Sequence, residues 1–155
     1  MTQSASVSAL YTRPILAEAV KLARWPLDRP FSYSAELRSK TCGSLVAIGF
    51  DCDGRGYISA LGLKVSACAL GQASAALFAA HAMGKDRAAI ETATRDYQDW
   101  LEQRRDDPPD WPGIAMLAGA RDFPARHPSL LLAFRAALAA FDAAAENSRD
   151  AGACS

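Results

Sequence analysis

The sequence predicts an α+β fold, in which a small three-stranded antiparallel sheet packs against several helices. In residues 31–38, apolar residues alternate with polar ones, which is the period of a half-buried strand, and two further strand-like segments follow before position 66. Before and after that region, apolar residues recur at helical spacing. Clusters of proline, glycine and aspartate separate the segments where turns are needed. Sheet and helices are therefore expected to share one core.

The first helix is expected over residues 9–24, with one apolar face formed by Ile15, Leu16, Ala19 and Leu22. The segment WPLDRP ends it, because a proline disfavours helical conformation in the residue before it. Three strands follow, with the sequences FSYSAELR, LVAIGF and YISALGLKV. The Asp53–Gly54 pair between the last two strands favours a tight hairpin.

Helical spacing resumes after Cys68, and Gly84 is placed to end the small-residue helix over residues 69–83. Asp86 is placed to cap the next helix, which runs to about residue 104. After the break RRDDPPDWPG, Pro128 suits the first turn of a last helix. The apolar stripe of that helix consists of Leu131, Phe134, Leu138 and Phe141. We expect a flexible arm over residues 1–8, a single domain over 9–146 and a disordered tail over 147–155.

Composition excludes several classes of partner. Seventeen basic residues balance 17 acidic ones, so the 155-residue chain has no electrostatic reason to bind nucleic acid or an anionic membrane. No apolar run approaches the roughly 20 residues that a spanning helix needs. The N-terminal segment MTQSASVSALYTRP lacks the basic region and apolar core of a signal peptide. We expect a cytoplasmic protein.

The predicted hairpin brings two of the four cysteines together. Strand two begins just after Cys42 and strand three ends just before Cys68, so both thiols are expected at the same end of the sheet. Cys52 is expected at the opposite tip, about 20–25 Å away at roughly 3.3 Å per residue. Cys52 and Cys154 are therefore expected to be bystanders. None of the four belongs to a CxxC pair, and disulfides are not expected in a cytoplasmic chain.

Cys68 precedes a helix directly, and the N–H groups and dipole at a helix N-terminus favour a thiolate. Gly43 next to Cys42 would let the backbone approach a bound group. The alternative is that both cysteines are small buried residues, since free cysteine is among the most buried residue types. The residues alone leave both interpretations open.

The motifs TCGS and ACALGQASAAL, with the hairpin between them, resemble the NifU-type iron–sulfur cluster scaffold family, which includes the IscU and SufU proteins. The resemblance extends over nearly the whole chain to ARHPSLLLAFRAAL, whose long spacing from Cys68 is similar to the SufU branch. It implies a SufU/IscU-like fold. The segment RDFPARH stands where IscU proteins carry a chaperone-recognition segment, so no dedicated chaperone of that kind is expected.

The resemblance also implies a set of ligands, normally Cys, Asp, Cys and Cys. Cys42 and Cys68 match two of them, whereas Ser44 and Ser129 stand at the positions of the Asp and the third Cys. A neutral hydroxyl is a poorer ligand for zinc or iron than a carboxylate or thiolate, so both serines are weaker candidates. We expect His127 to replace the third ligand, the alternative being a residue that only begins a helix. The implied cofactor is zinc or a 2Fe–2S cluster.

By resemblance, the protein collects sulfur from a cysteine desulfurase as a persulfide, holds a transient iron–sulfur cluster and passes it to apo recipient proteins. Cys42 is the expected persulfide acceptor and Cys68 the expected metal anchor. Arg126 either hydrogen-bonds sulfur or a partner's carboxylate, or is solvated. A scaffold or sulfur acceptor is favoured over an independent catalyst, because no general base is recognisable beside a nucleophile. The alternative is a metal-free interaction module of the same fold that binds the desulfurase or another assembly partner.

Overall fold

The three predicted strands form one antiparallel sheet in the order β1-β2-β3. The computed structural model describes residues 10–40 and 43–153, with side chains described as far as Asn147. The strands are β1 (Tyr33–Arg38), β2 (Leu45–Cys52) and β3 (Ile58–Ser66). Their register aligns Arg38, Leu45 and Ser66 at one end of the sheet. The predicted α+β fold is confirmed.

The predicted hairpin joins β2 to β3. The Asp53 carboxylate accepts hydrogen bonds from the backbone N–H groups of Arg55 and Tyr57, at 2.8 and 3.1 Å. The backbone N–H groups of the turn therefore find their hydrogen-bond acceptor within the turn itself. Cys52 pairs with Ile58 next to the turn, so Cys52 lies at the end of the sheet opposite Ser66, as predicted.

Four α-helices surround the sheet, and short 3₁₀ helices extend or connect them. The α-helices are α1 (Arg13–Val20), α2 (Ala69–Ala82), α3 (Arg87–Leu101) and α4 (His127–Ala153). The 3₁₀ helices are Lys21–Arg24, Ile114–Asp122 and Pro124–Arg126.

The helix boundaries follow local signals. Thr12 accepts a hydrogen bond from the Ile15 N–H at the start of α1, and Asp86 caps α3 through the Ala89 N–H, as predicted. Helix α1 is shorter than expected, and Leu16 is 45% exposed instead of lying on the buried face. At the other end of the chain, α4 continues past position 147, where a tail was expected to begin.

The core lies between α2, α4 and one face of the sheet. Phe78 on α2 stacks on Trp111 and meets Phe134 on α4 edge to face. The segment Pro124–Asn147 is long and apolar enough to cross a membrane by length and composition, but half of its most apolar window is buried. It packs against β1, β2, α2 and α3, so its apolar character is that of a core helix.

Candidate functional site

A small polar cleft opens where β2 begins and β3 ends. Its volume is about 230 Å³. Next to it the chain turns tightly, since the Ser39 N–H donates to the Ser44 carbonyl at 2.7 Å and the Gly43 N–H donates to the Ser39 carbonyl at 3.1 Å. Gly43 has a φ of +72°, a conformation that side chains disfavour. The residues lining the cleft are Gly43, Ser44, Ser66, Ala67, Cys68 and Arg126.

Cys68 is the thiol in this cleft. It is the N-cap residue of α2, with extended backbone angles (φ −66°, ψ 169°), and its side chain makes no capping hydrogen bond. The thiol is half-buried. Its position at the join of β3 and α2, predicted from the sequence, places a sulfur atom at the positive end of a 14-residue helix.

Tyr11 and Arg126 complete the surroundings of Cys68. Burial raises the pKa of the Tyr11 phenol, as do the charge of the nearby Cys68 sulfur and a hydrogen bond to it, while the Arg126 guanidinium lowers that pKa. The phenol therefore lies close to both the sulfur and the guanidinium, and Cys68 and Arg126 line the same cleft. Sequence reasoning did not identify Tyr11, because nothing in the segment ALYTRPIL distinguishes it from any residue that begins a helix.

Ser44 and Ser129, which replace two ligands of the resembled family, contact each other. Their Oγ atoms lie 3.1 Å apart in a buried hydrogen bond. Ser44 is only 5% exposed and Ser129 only 3%. Gly71 on α2 leaves room for the pair, since a Cβ at that position would lie 2.3 Å from the Ser129 Oγ. The two hydroxyls thus join the start of β2 to the start of α4.

His127 begins α4 and is buried, at 8% exposure. Its Nε2 lies 2.9 Å from the Ala120 carbonyl oxygen, and because a carbonyl only accepts, Nε2 carries the proton and donates. Nδ1 is therefore the ring atom left for a metal. His127 is not among the residues that line the cleft around Cys68.

The remaining predicted site residues fall elsewhere. Cys42 and Cys154 lie outside the described residues, so the pairing of Cys42 with Cys68 stays a prediction. At the far end of the sheet, burial raises the pKa of Cys52, whose thiol is hydrogen-bonded to Tyr33. Within the described ranges, no three residues of the types His, Cys, Asp and Glu are grouped so that they could hold a metal ion.

A three-stranded antiparallel sheet, a thiol where β3 meets α2 and a long final helix characterise this α+β domain. A solved structure of a NifU-like protein (N-terminal part) from Brucella abortus matches it with a TM-score of 0.79 and 28% identity, covering 88% of this chain and 95% of that one. The putative iron–sulfur cluster assembly scaffold protein for the SUF system from Fervidobacterium islandicum AW-1 matches with a TM-score of 0.74 and 19% identity, covering 87% and 98%. No protein-family model and no curated protein matches the sequence.

These likenesses support the resemblance of the chain to the NifU/IscU–SufU family that its sequence motifs indicate. The predicted SufU/IscU-like fold is confirmed by the same two structures. At 19% identity, the Fervidobacterium structure supports the fold and nothing more.

Proposed function

We propose that this protein takes part in iron–sulfur cluster assembly as a sulfur acceptor, with the sulfur carried by the thiols of Cys42 and Cys68. The observation that carries the proposal is the cleft in which Cys68 lies beside the Tyr11 hydroxyl and the Arg126 guanidinium. A hydroxyl donor and a cation both stabilise an anionic sulfur such as a thiolate or persulfide. The NifU-like and SUF-type neighbours support the general role in cluster assembly.

The sulfur-transfer step needs no external oxidant. The thiolate of Cys42 attacks the terminal sulfur of a persulfide on the cysteine desulfurase, and an S–S bond forms as the original S–S bond breaks. The desulfurase cysteine leaves as a thiolate, and the sulfur now carried by Cys42 is a persulfide. Because one persulfide replaces another, sulfur is neither oxidised nor reduced overall.

The described donor atoms do not fit a resident zinc ion. A closed zinc site takes four ligands of the thiolate, imidazole or carboxylate kind. The hydroxyls of Ser44 and Ser129 are hydrogen-bonded to each other, and His127 directs Nε2 to a backbone carbonyl. The chain would offer at most Cys42, Cys68 and Nδ1 of His127. The proposed activity is therefore sulfur transfer by the thiols, without a resident metal.

Sulfur loading tests the proposal. The purified protein would be incubated with a cysteine desulfurase and cysteine, alkylated, and analysed by peptide mass spectrometry for the added mass of one sulfur atom. We expect that mass on Cys42 or Cys68, and its loss from the substituted position in Cys42→Ser and Cys68→Ser. Cys52→Ser is the matched control, since Cys52 lies at the far end of the sheet. Absence of added sulfur from both thiols, or equal loading of Cys52, contradicts the proposal.

A metal-free interaction module is the second candidate function. The hydrogen bond between Ser44 and Ser129 favours it, because this contact holds β2 and α4 together without a metal. Such a module would bind the desulfurase or another assembly partner equally well in the Cys42→Ser/Cys68→Ser double variant. Sulfur transfer requires the thiols, so loading and binding, measured on the same double variant, separate the two candidates.

A further inference from the structure

A second groove lies on the other side of the start of α4. It has a volume of about 280 Å³ and runs between the end of β1 and α4. Its walls on the α4 side come from Pro128, Leu132 and Arg135, which share one helical face at spacings of four and three residues. Leu37 from β1 lies opposite them. Leu132 is buried, and Leu37 and Pro128 are half-buried, so the floor is apolar.

Positive charge surrounds this floor. Arg38, Lys40 and Arg135 all line the groove, and no carboxylate is among its described lining residues. Among the side chains described in residues 10–40 and 43–147, none forms an ion pair with any of these three cations. Arg135 reaches only a neutral amide, the Gln98 Oε1, at 3.4 Å. The groove is therefore electrostatically complementary to carboxylates.

The sheet edge beside the groove is open in the described structure. The outer edge of β3 is partly covered, because the Leu63 N–H donates to the Trp25 carbonyl at 2.8 Å. No described strand pairs with the outer edge of β1. An open edge offers backbone donors and acceptors to an extended segment of another protein. The volume is just below the roughly 300–1,000 Å³ typical of small-molecule pockets, which favours anchoring apolar side chains over enclosing a metabolite.

We propose that this groove docks an extended acidic segment of a partner protein, with its apolar side chain on Leu37, Pro128 and Leu132 and its carboxylates on the three cations. The groove and the Cys68 cleft are both lined by residues between β1 and β2 and by residues at or just before the start of α4. Lys40 lines the groove and Gly43 the cleft, while Pro128 lines the groove and Arg126 the cleft. A partner held in the groove is thus next to the thiol site. The inference rests on the proposed function for the identity of the partner, which delivers or receives the sulfur.

Peptide titration followed by NMR tests the docking. The probe is a short acetylated and amidated peptide with two central leucines flanked on both sides by glutamates. We expect it to shift the backbone amides of residues 37–40 and 129–135, and a control peptide with lysines in place of the glutamates to leave them unshifted. We expect Arg38→Glu/Arg135→Glu to weaken binding of the acidic peptide by about tenfold or more.

Two controls keep folding separate from binding. Arg38 lies on the exposed face of β1, so Arg38→Glu alone reports on the groove without a change in the core. Arg55→Glu reverses a charge at the exposed hairpin tip and is expected to leave the affinity unchanged. The proposal is overturned if the acidic peptide leaves the groove amides unshifted, if both peptides shift them equally, or if Arg55→Glu weakens binding as much as Arg38→Glu. Concentration-dependent shifts without peptide, abolished by Arg38→Glu, would assign the groove to a second copy of this chain and also overturn it.

Sulfur loading of Cys42 and Cys68 from a small-molecule persulfide donor is measured on the same variants. Loading that fails while the peptide still binds contradicts the proposed function and leaves the groove in place. Loading that succeeds while the peptide does not bind contradicts the groove alone.

Discussion

The hydroxyls of Ser44 and Ser129 form a buried hydrogen bond, 3.1 Å between Oγ atoms, across 85 positions of sequence. By the sequence resemblance, these serines are predicted to stand where the NifU-type family has an aspartate and a cysteine as ligands. Buried polar atoms need partners, and here the two replacement side chains contact each other. Ser44 also lines the cleft that holds Cys68, so the contact joins the wall of the cleft to the start of α4.

Ser129→Ala is expected to lower the free energy of unfolding by about 1 kcal/mol, because the buried hydrogen bond to Ser44 is lost. Urea denaturation measures the change. Ser44→Ala should cost a similar amount, and the double variant should cost less than the sum, as for two residues that share one interaction. Ser34→Ala, on the exposed side of β1, is the control and should be nearly neutral. Strict additivity of the two single changes would contradict the coupling.

Gly71→Ala is expected to destabilise the protein, although alanine favours helices more than glycine does. The added Cβ would lie 2.3 Å from the Ser129 Oγ and 2.9 Å from the Ala67 Cβ. Overpacking of this kind costs about 1–3 kcal/mol, which exceeds the gain in helix propensity of about 1 kcal/mol. Thermal and urea denaturation check this, with Gly54→Ala as the control, since a Cβ at Gly54 meets no atom within 4 Å. The cost should shrink when Ser129→Ala is also present; an undiminished cost would place the clash elsewhere.

Ser44→Asp combined with Ser129→Cys is expected to raise the content of zinc or iron in the purified protein. The double change introduces a carboxylate in the cleft that holds Cys68 and a thiolate at the residue in contact with it, and both are stronger ligands than a hydroxyl. Elemental analysis after anaerobic purification measures the metal. Ser34→Asp with Ser59→Cys makes the same two substitutions at exposed positions and should leave the metal content unchanged. An unchanged metal content in the first variant would contradict the expectation that the hydroxyls at positions 44 and 129 limit metal binding.

Tyr11→Phe is expected to slow alkylation of Cys68 by about two- to tenfold, because the phenol no longer donates a hydrogen bond to the sulfur anion. The chain offers a matched control at the other end of the sheet, where Tyr33 is hydrogen-bonded to Cys52. Tyr33→Phe should therefore slow alkylation of Cys52 and leave Cys68 unaffected. Mass spectrometry of peptides after timed iodoacetamide treatment follows both thiols in one sample. Equal effects of Tyr11→Phe on both cysteines would point to a general loosening of the fold.

Tyr97 should make the stability of the protein sensitive to alkali. Burial raises the pKa of Tyr97, whose hydroxyl is 2.9 Å from the Ser74 Oγ, well above its usual range. The unfolded chain ionises its tyrosines near pH 10, so the contribution of Tyr97 is fully present below that pH. It is lost as pH rises toward the folded pKa, by about 1.4 kcal/mol per pH unit, because the unfolded state releases the proton first.

Urea denaturation of wild type and Tyr97→Phe between neutral pH and about pH 11 checks this dependence. Near neutral pH the variant should be less stable by about 1 kcal/mol, since the bond to Ser74 is lost. Above about pH 10 the difference should narrow and then reverse, because phenylalanine has no proton to lose. Tyr57→Phe, at a tyrosine that is 38% exposed, is the control. Parallel stability curves for wild type and Tyr97→Phe would contradict the assignment.

The sequence by itself determined the order of elements, because those signals are local. The period-two alternation predicted β1, and short apolar runs bounded by turn residues predicted β2 and β3. The Asp53–Gly54 pair predicted the hairpin, and Asp86 marked the start of α3. Strand connectivity then placed Cys68 at the end of the sheet opposite Cys52.

Only the tertiary structure decided which side chains meet at that end. The Tyr11 phenol reaches Cys68, Ser129 bonds to Ser44, and the Nε2 of His127 donates to a backbone carbonyl. The exposure of Leu16 was decided in the same way, since the packing of α1 against α2 selects its buried face. Residue identities and spacings predict a helix or a turn, but contacts between residues far apart in sequence depend on how the helices pack on the sheet.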